Sequence, residues 1–310
     1  MIRVLSPGLL TTVQDLGRPG LAGLGVPAGG AADAHALRLG NLLLGNEEGA
    51  AALEATLVGP ELLFEEAALV VLAGAPFGAR LDGAPLPPWK TVEVPAGGRL
   101  AVGRAHSGAR ACVCVRGGLD LPPVLGSRAT DVATGFGGLD GRPLGAGDRL
   151  SVGPARGAPK GRRVDAAAAR WSGPRRRLRV TPGPQGDWFG EDVVEAFFSR
   201  SFRVSASSSR TGVRLGGEAL TAPARSLVTE GVVAGAVQIP PGGLPIVLFV
   251  EHPSTGGYPK IGSVISADLS ALAQLRPGEE VRFARVSFEE ARRLLLDREA
   301  RLDAPGVFLS

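Results

Sequence analysis

The sequence predicts a mainly β fold with a few short helices, arranged as two packed units. Strand-like apolar runs recur along the chain, and Gly, Pro or Asp-Gly separates most of them, as in small barrels and sandwiches. The 46 glycines and the aromatic content of 5% favour short strands joined by tight turns. With 310 residues, the chain exceeds the length at which one hydrophobic core usually stops growing.

The predicted strands follow one another at short intervals. They cover residues 62–64, 68–72, 91–94, 111–115, 203–204, 232–239, 246–250 and 281–283. Cys112 and Cys114 stand two apart in one of these runs, so they share a face of the strand, where a disulfide between them is geometrically poor. We predict that both thiols are buried as small apolar side chains.

Helix caps mark three interruptions of this strand pattern. Asp33 is the predicted N-cap of a helix that ends at Gly45, and Ser266 is the predicted N-cap of a second helix. Ser287 and Glu290 have capping-box spacing ahead of an apolar helical period. The C-terminal segment is therefore predicted to form an amphipathic helix.

The domain boundary is predicted within residues 154–178, which are rich in Pro, Gly, Ala and Arg and lack a sustained apolar period. Residues 2–8 are faintly echoed by residues 178–183, which suggests two related units in tandem. We predict an N-terminal domain at 1–172 and a C-terminal domain at 173–310 that includes the amphipathic helix.

The composition argues against membrane and nucleic-acid functions. The longest uncharged apolar stretch, residues 67–79, is shorter than the ~20 residues that cross a bilayer. The first residues lack the apolar region of a signal peptide, so we expect a cytoplasmic protein. The net charge of +4 owes much to arginines between residues 170 and 179. Without a nucleic-acid motif, this cluster is interpreted as a solvated linker.

Residues 251–269 form the most informative segment. An apolar run enters a turn that contains a hydroxyl pair and a Gly-Gly pair, after which a second apolar run leaves. Glycine permits positive φ and close approach of backbone N–H groups to a ligand, so this turn is interpreted as a binding loop, with a plain hairpin as the alternative. The predicted binding residues are His252, Ser254, Thr255, Gly256, Gly257 and Tyr258.

A second candidate group lies near the start of the chain. Gln14, Asp15 and Arg18 bring an amide, a carboxylate and a guanidinium together on a connection that we expect to be exposed. They are candidate catalytic residues, and the alternative is an ordinary turn whose aspartate caps backbone N–H groups.

Three further cations are candidates for binding an anionic group. Arg210 and Arg214 are four residues apart and would face the same way in one strand, although a solvated pair is the alternative. Lys260 is a compact, movable cation suited to phosphate. The three histidines show no metal-ligand spacing, so no protein-bound metal site is predicted.

Motifs in order along nearly the whole chain resemble those of one family. They are PGLLTTVQDLGRPG at 7–20, GVP at 25–27, GPEL at 59–62, RGG at 116–118, LGSR at 125–128, SRTGVRL at 209–215, EGVV at 230–233 and LAQLRPG at 272–278. Together with the 251–269 segment they resemble the KipA-type family, whose members are also called the C-type subunit of 5-oxoprolinase, allophanate hydrolase subunit 2 or the biotin-dependent carboxyltransferase family.

The resemblance implies two cyclophilin-like β-barrels and a component of an ATP-dependent 5-oxoprolinase. Such an enzyme converts 5-oxo-L-proline to L-glutamate with a B-type, KipI-like subunit and an A-type subunit, and ATP with Mg²⁺ is its co-substrate. Triphosphate would require cations and backbone donors, which makes Arg18, Arg210, Arg214 and Lys260 candidates. Asp15 or Glu251 is the candidate for contacting Mg²⁺.

The same family leaves two alternatives open. One is the carboxyltransferase subunit of a biotin-dependent urea or amide carboxylase. The chain has a single methionine and therefore no Met-Lys-Met biotin-acceptor motif, so any biotin would arrive on another protein. The other is a KipA-type antagonist of a histidine-kinase inhibitor, for which the partner-binding surface would be the function.

Overall fold

The computed structural model describes residues 1–173, 175–302 and 304–310. The α-helices in these residues are α1 (Ala34–Leu43), α2 (Ala166–Ala169), α3 (Glu191–Ser199), α4 (Leu269–Ala273) and α5 (Phe288–Ala300). Short 3-10 helices occur at Ala22–Leu24, Arg170–Ser172, Gly186–Trp188 and Ser266–Asp268. None of the helices in the described ranges is long and apolar enough to cross a membrane.

Short strands make up most of the regular structure. The first half contains β1 (Ile2–Ser6), β2 (Leu10–Gln14), β3 (Ala52–Thr56), β4 (Glu61–Phe64), β5 (Ala68–Gly74), β6 (Arg80–Leu81), β7 (Ala84–Pro85), β8 (Val92–Val94), β9 (Arg99–Ala101), β10 (Arg110–Val115), β11 (Leu119–Asp120), β12 (Arg149–Val152) and β13 (Arg163–Val164). The second half contains β14 (Arg177–Pro182), β15 (Phe202–Val204), β16 (Gly212–Gly216), β17 (Glu230–Gly231), β18 (Ala236–Gln238), β19 (Ile246–Leu248), β20 (Thr255–Gly256), β21 (Lys260–Val264), β22 (Glu280–Arg285) and β23 (Phe308–Leu309).

The chain divides into two compact units that are not continuous in sequence. The first contains residues 1–18, 29–174 and 300–310, and the second contains residues 19–28 and 175–299. The end of the chain therefore belongs to the first unit, where β23 pairs antiparallel with β13. The division into independently folding domains at 172/173 stays a prediction.

The first unit consists of two sheets that enclose a core. One sheet has the order β11-β12-β1-β4-β9-β6-β7 and the other β2-β3-β10-β5-β8. Ile2 and Leu62 from the first sheet belong to the same buried cluster as Leu53 and Val113 from the second. The other face of the second sheet packs on α1.

In strand β10, successive side chains point to opposite faces of that sheet, and both faces are buried. Val113 lies in the core between the sheets, whereas Cys112 and Cys114 pack in the cluster that contains α1. Both cysteines are buried thiols outside any disulfide, as the sequence predicts. Burial raises the pKa of the Cys114 thiol to about 12, so the reactive thiolate is suppressed.

The second unit is built around a closed seven-stranded barrel. Its strand order is β14-β21-β18-β19-β16-β15-β22, and β22 closes the ring by pairing parallel with β14. Phe197 from α3 stacks on Phe283 of β22 at a ring-centroid distance of 4.5 Å, which seals this part of the barrel wall. The predicted mainly β fold is confirmed.

The predicted caps have different outcomes. Asp33 caps α1 by accepting a hydrogen bond from the Ala36 N–H at 3.0 Å, and Ser287 Oγ accepts one from the Glu290 N–H at 3.0 Å at the start of α5. Ser266 instead begins a 3-10 turn and makes no capping bond, so that prediction is wrong. The predicted strand 232–239 is also wrong in extent, because only its last part forms β18.

Arginines near the start of β14 are less solvated than the sequence suggests. Asp268 is fully buried and accepts hydrogen bonds from Arg175 Nη1 at 2.8 Å and from Arg179 Nε at 2.9 Å. It also accepts from the Arg179 backbone N–H at 2.8 Å. A buried carboxylate needs such partners, so these two arginines hold the turn before α4 against β14.

Candidate functional site

The 251–269 segment is not a plain hairpin, because its short strand β20 pairs with β17, which lies earlier in the chain. β20 pairs antiparallel with β17, with Glu230 opposite Gly256 and Gly231 opposite Thr255. The Val232 N–H donates to the Ser254 carbonyl at 3.1 Å and extends this pairing. We call β17 and β20 together the ribbon. The ribbon places Glu230, the first residue of the EGVV motif, beside the predicted binding loop.

Of the two roles considered for the Gly-Gly pair, close approach applies at Gly256, and positive φ applies at neither glycine. Neither Gly256 nor Gly257 is among the glycines with positive φ. A Cβ on Gly256 would lie 2.6 Å from Gln238 Nε2 and 3.1 Å from Val232 Cγ1, so this position needs glycine as long as Gln238 stays in place. A Cβ on Gly257 would meet only ordinary contacts, the nearest at 3.5 Å from Thr229 Oγ1.

Lys260 is buried and ion-paired, and is therefore not a mobile phosphate ligand in this structure. Its Nζ lies 2.5 Å from Glu230 Oε1, and the side chain is 5% exposed. Gln185 Nε2 donates to the same carboxylate oxygen at 2.9 Å. Gln185 Oε1 accepts from the Lys260 backbone N–H at 3.2 Å, which fixes the orientation of the amide.

These contacts keep Glu230 ionised. The Lys260 ammonium, followed by the Gln185 amide, holds the pKa of the Glu230 carboxyl below its usual range. The Glu230 side chain is nevertheless 39% exposed. The result is a fixed negative charge at the ribbon that solvent or a ligand can reach.

Gln238 and Ser254 complete the polar cluster. Gln238 is 5% exposed, and within the described parts of the chain its side chain makes no hydrogen bond. Ser254 Oγ is buried and likewise has no partner among the described residues. Buried polar groups are normally paired, so Ser254 Oγ has unused hydrogen-bonding capacity, and the Gln238 amide, which also makes no hydrogen bond here, has it as well. We call Gln185, Glu230, Gln238, Ser254 and Lys260 the ribbon cluster.

Two members of the ribbon cluster, Ser254 and Lys260, are predicted from the sequence, and the other three were missed. Gln238 interrupts the apolar run 232–239, and a polar residue inside such a run is a signal that could have identified it. Glu230 begins the EGVV motif, but nothing local marks it as a ligand. Gln185 is 75 residues from Lys260, and its role arises from tertiary contact alone.

The remaining loop residues do not join the cluster through hydrogen bonds. His252 Nδ1 lies 2.7 Å from the Pro253 carbonyl, so it bonds locally. Thr255 and Tyr258 are exposed. These positions form the outer surface of the ribbon, where they are available to a partner or a ligand.

Arg210 and Arg214 do not face one group, so that prediction is wrong. Arg210 precedes β16 and is buried against Glu251, with its Nε 2.5 Å from Glu251 Oε1. Arg214 lies within β16 and points to solvent. The pairing with Arg210 also removes Glu251 as an evident Mg²⁺ ligand.

In the first unit, the candidate residues Gln14, Asp15 and Arg18 make contacts that stabilise the fold. Asp15 is the first of them. Asp15 Oδ1 accepts from the Gly17 N–H at 2.7 Å and from Ser127 Oγ at 2.6 Å, and its Oδ2 accepts from the Arg128 N–H at 2.6 Å. The carboxylate therefore ties the opening turn to the LGSR motif. Both carboxylate oxygens thus accept hydrogen bonds from within the first unit.

Arg18 is buried, so the prediction of an exposed connection is wrong. It is 2% exposed, and its Nη2 donates to the Ala129 carbonyl at 2.5 Å. Its guanidinium carbon lies 4.7 Å from the centroid of the Phe136 ring, within cation–π range. Gly137 has a φ of 72°, and a Cβ there would lie 2.2 Å from the Ala129 carbonyl oxygen and 2.9 Å from Arg18 Nη2, so this position requires glycine.

Gln14 also contacts the turn that Arg18 and Asp15 contact. Its Nε2 donates to Thr12 Oγ1 at 2.9 Å and to the Thr130 carbonyl at 3.0 Å, while its Oε1 is buried without a partner in the described residues. The predicted trio is thus brought together around residues 127–130. Its contacts order this turn of the first unit.

In the described part of the chain, most of the side chains predicted to hold Mg²⁺ or triphosphate are engaged by other residues. Among the described residues, no group of three or more His, Cys, Asp or Glu side chains is placed to hold a metal ion. Of the four cations predicted to hold triphosphate, Arg18, Arg210 and Lys260 are buried and engaged within the chain. We therefore assign no nucleotide-dependent or metal-dependent step to these residues.

Comparison with known proteins gives consistent matches. Residues 24–285 match the family model of the carboxyltransferase domain, subdomain A and B. The C-type subunit of 5-oxoprolinase from Escherichia coli strain K12 is 39% identical over 305 residues, which cover 96% of this chain and 96% of that protein. Its counterpart from Haemophilus influenzae, also a C-type 5-oxoprolinase subunit, is 36% identical, covering 98% of this chain and 97% of that protein.

A solved structure extends the likeness to a larger enzyme. The crystal structure of the K. lactis urea amidolyase superposes with a TM-score of 0.90 at 32% identity and covers 100% of this chain. This chain corresponds to only 20% of that protein.

Proposed function

Because this chain belongs to the family of the carboxyltransferase domain, subdomain A and B, we propose that it is the C-type subunit of an ATP-dependent 5-oxoprolinase. It would act with a B-type, KipI-like subunit and an A-type subunit in the cytoplasm to convert 5-oxo-L-proline to L-glutamate. The observation that carries the proposal is the alignment with the E. coli C-type subunit over 96% of both chains.

The chemistry of the reaction defines what this protein must supply. A lactam carbonyl is a poor electrophile because the ring nitrogen donates into it, and phosphorylation of the amide oxygen by ATP would create a leaving group. The ribbon cluster offers an ionised acceptor and an amide with unused donors, which suit the binding of a polar ring. ATP with Mg²⁺ would be the co-substrate of the assembled enzyme.

The outer surface of the ribbon supports a role in assembly. Val228, Val233 and Tyr258 are exposed close to β17 and β20 in sequence. Exposed apolar side chains of this kind are common where another protein binds. We propose that the loop 254–260 faces the B-type subunit, which would complete the site.

The alternative is the carboxyltransferase subunit of a biotin-dependent urea or amide carboxylase, and the fold shared with urea amidolyase favours it. Biotin would then arrive on another protein. A KipA-type regulatory role, in which the chain antagonises a histidine-kinase inhibitor, would use the same partner-binding surface.

Reconstitution tests the proposal. The purified chain with ATP and 5-oxoproline is expected to form no glutamate, and glutamate is expected to appear when the B-type and A-type subunits are added. A mixture without ATP is the control. Turnover by the single chain contradicts the need for partners. Carboxylation of urea with a biotin carboxylase, in place of glutamate formation, supports the alternative.

Two glycine-to-alanine substitutions, one as the test and one as its control, probe the ribbon cluster. Gly256→Ala is expected to displace the Gln238 amide, because the new Cβ would lie 2.6 Å from Nε2. The long Gln238 side chain can move, so the melting temperature should change little while the reconstituted rate falls at least tenfold. Gly242→Ala is the control, because a Cβ at this exposed glycine of the same unit would meet nothing within 4 Å, and it should leave both unchanged. Equal rates for the two variants would show that the position of Gln238 does not matter.

A further inference from the structure

Glu230 uses only one of its carboxylate oxygens inside the chain. Oε1 receives both the Lys260 ammonium and the Gln185 amide. Within residues 1–173, 175–302 and 304–310, Oε2 has no hydrogen-bond partner. The inner oxygen thus fixes the carboxylate, and the outer oxygen remains as an ionised acceptor.

The Gln238 amide lies on the same face of the ribbon as the Glu230 carboxylate and can donate a hydrogen bond beside it. Side chains that lie opposite each other in an antiparallel pair share one face, so Glu230 projects on the face where Gly256 lacks a side chain. The Gln238 amide fills that space, since its Nε2 would be 2.6 Å from a Cβ on Gly256. Gln238 is also opposite Lys260 in the β18–β21 pair, and Lys260 reaches Glu230.

The two side chains therefore offer an acceptor next to an amide donor, both without partners in the described chain. The Gln238 amide makes no hydrogen bond within the described residues and is not among their fully buried unpaired polar atoms, so a ligand can reach it and pair with it. A hydrogen bond to the ionised Glu230 oxygen is stronger than one between neutral groups. The matching ligand has an N–H and a C=O on the same edge.

We propose that Glu230 Oε2 and the Gln238 amide together bind the cis-amide edge of a small ring, with Oε2 accepting the ring N–H and Gln238 Nε2 donating to the ring carbonyl. This inference rests on the proposed function, in which the ring is the lactam of 5-oxoproline. In the trans amide of a peptide the N–H and C=O point in opposite directions, so the pair cannot read both. Lactams and cyclic ureas share the required edge.

Competition by small rings tests the inference in the reconstituted enzyme. 2-Pyrrolidinone, which keeps the lactam edge, should compete with 5-oxoproline at least tenfold better than N-methyl-2-pyrrolidinone, which lacks the N–H. 2-Imidazolidinone, a cyclic urea, separates the two ring classes: stronger competition by the lactam supports the lactam assignment, and stronger competition by the urea overturns it.

Glu230→Gln is the decisive variant. Lys260 and Gln185 both donate to the inner atom, so the new amide should turn its oxygen inward and present its NH₂ to the ligand. The variant should lose the preference for the N–H lactam and raise the KM for 5-oxoproline at least tenfold, with a smaller change in kcat. Glu218→Gln is the matched control, because Glu218 is an exposed glutamate paired with Arg200 at 2.7 Å. A preference that persists in Glu230→Gln overturns the inference.

Failure of the proposed function is distinguishable from failure of the inference. If the wild-type complex forms no glutamate, the proposed function fails, and ligand-observed NMR with the full chain then compares the same two lactams. Selective binding of 2-pyrrolidinone that Glu230→Gln abolishes supports the inference. Absent or unselective binding overturns it. Melting curves of both variants check that each is folded.

Discussion

Arg18→Ala is expected to lower the free energy of unfolding by about 3 kcal/mol, because it leaves the buried Ala129 carbonyl without this donor and a void beside Phe136. For a unit of this size, that loss corresponds to a fall in melting temperature of roughly 6 to 12 °C. Thermal unfolding followed by circular dichroism measures it.

Arg156→Ala is the control for this substitution. The Arg156 side chain is 79% exposed in the same unit, and its removal should change stability by less than about 0.5 kcal/mol. If Arg18→Ala melts like the wild type and yet loses activity in the reconstituted enzyme, Arg18 takes part in the reaction and the structural role is wrong.

Glu251→Ala is expected to have a still larger effect on stability. The Arg210 and Glu251 side chains are 5% and 3% exposed, and removal of one partner deprives the buried charge of the other of this ion pair. Such losses typically cost about 3 to 5 kcal/mol. Denaturant unfolding of the full chain gives the change in free energy.

A double-mutant cycle measures the coupling energy between Arg210 and Glu251 separately from the contacts that each makes with other residues. The double variant Arg210→Met, Glu251→Leu should lose less stability than the sum of the two single variants, because no unpaired charge remains. The exposed pair of Arg200 and Glu218 is the comparison, and its coupling should be within about 1 kcal/mol of zero. Additive losses at Arg210 and Glu251 would show that their contact contributes little.

Local sequence patterns predicted much of the fold for identifiable reasons. Alternation in β10 places Cys112 and Cys114 on one face, and the caps at Asp33 and Ser287 are set by residues within one turn. The run 232–239 was misjudged because apolar composition does not reveal where a turn divides it. Gly235, with φ of 91°, marks that turn.

Exposure of charged residues was the main error in the candidate site. Arg18 and Arg210 look like surface cations in sequence, yet distant carbonyls and a distant carboxylate bury them. The ribbon cluster depends on contacts between β17, β18, β20 and β21, which no local pattern encodes. Local patterns therefore located the loop and its lysine but not the partners that define their chemistry.

The pairing of β23 with β13 has a consequence for the order of biosynthesis. β23 belongs to the first unit, so that unit lacks a strand until residues 308–309 have left the ribosome. The intervening second unit is synthesised in full before this strand can pair. Folding from the N-terminus during translation thus leaves the first unit with an open strand edge, a state in which chaperone binding or aggregation competes with completion.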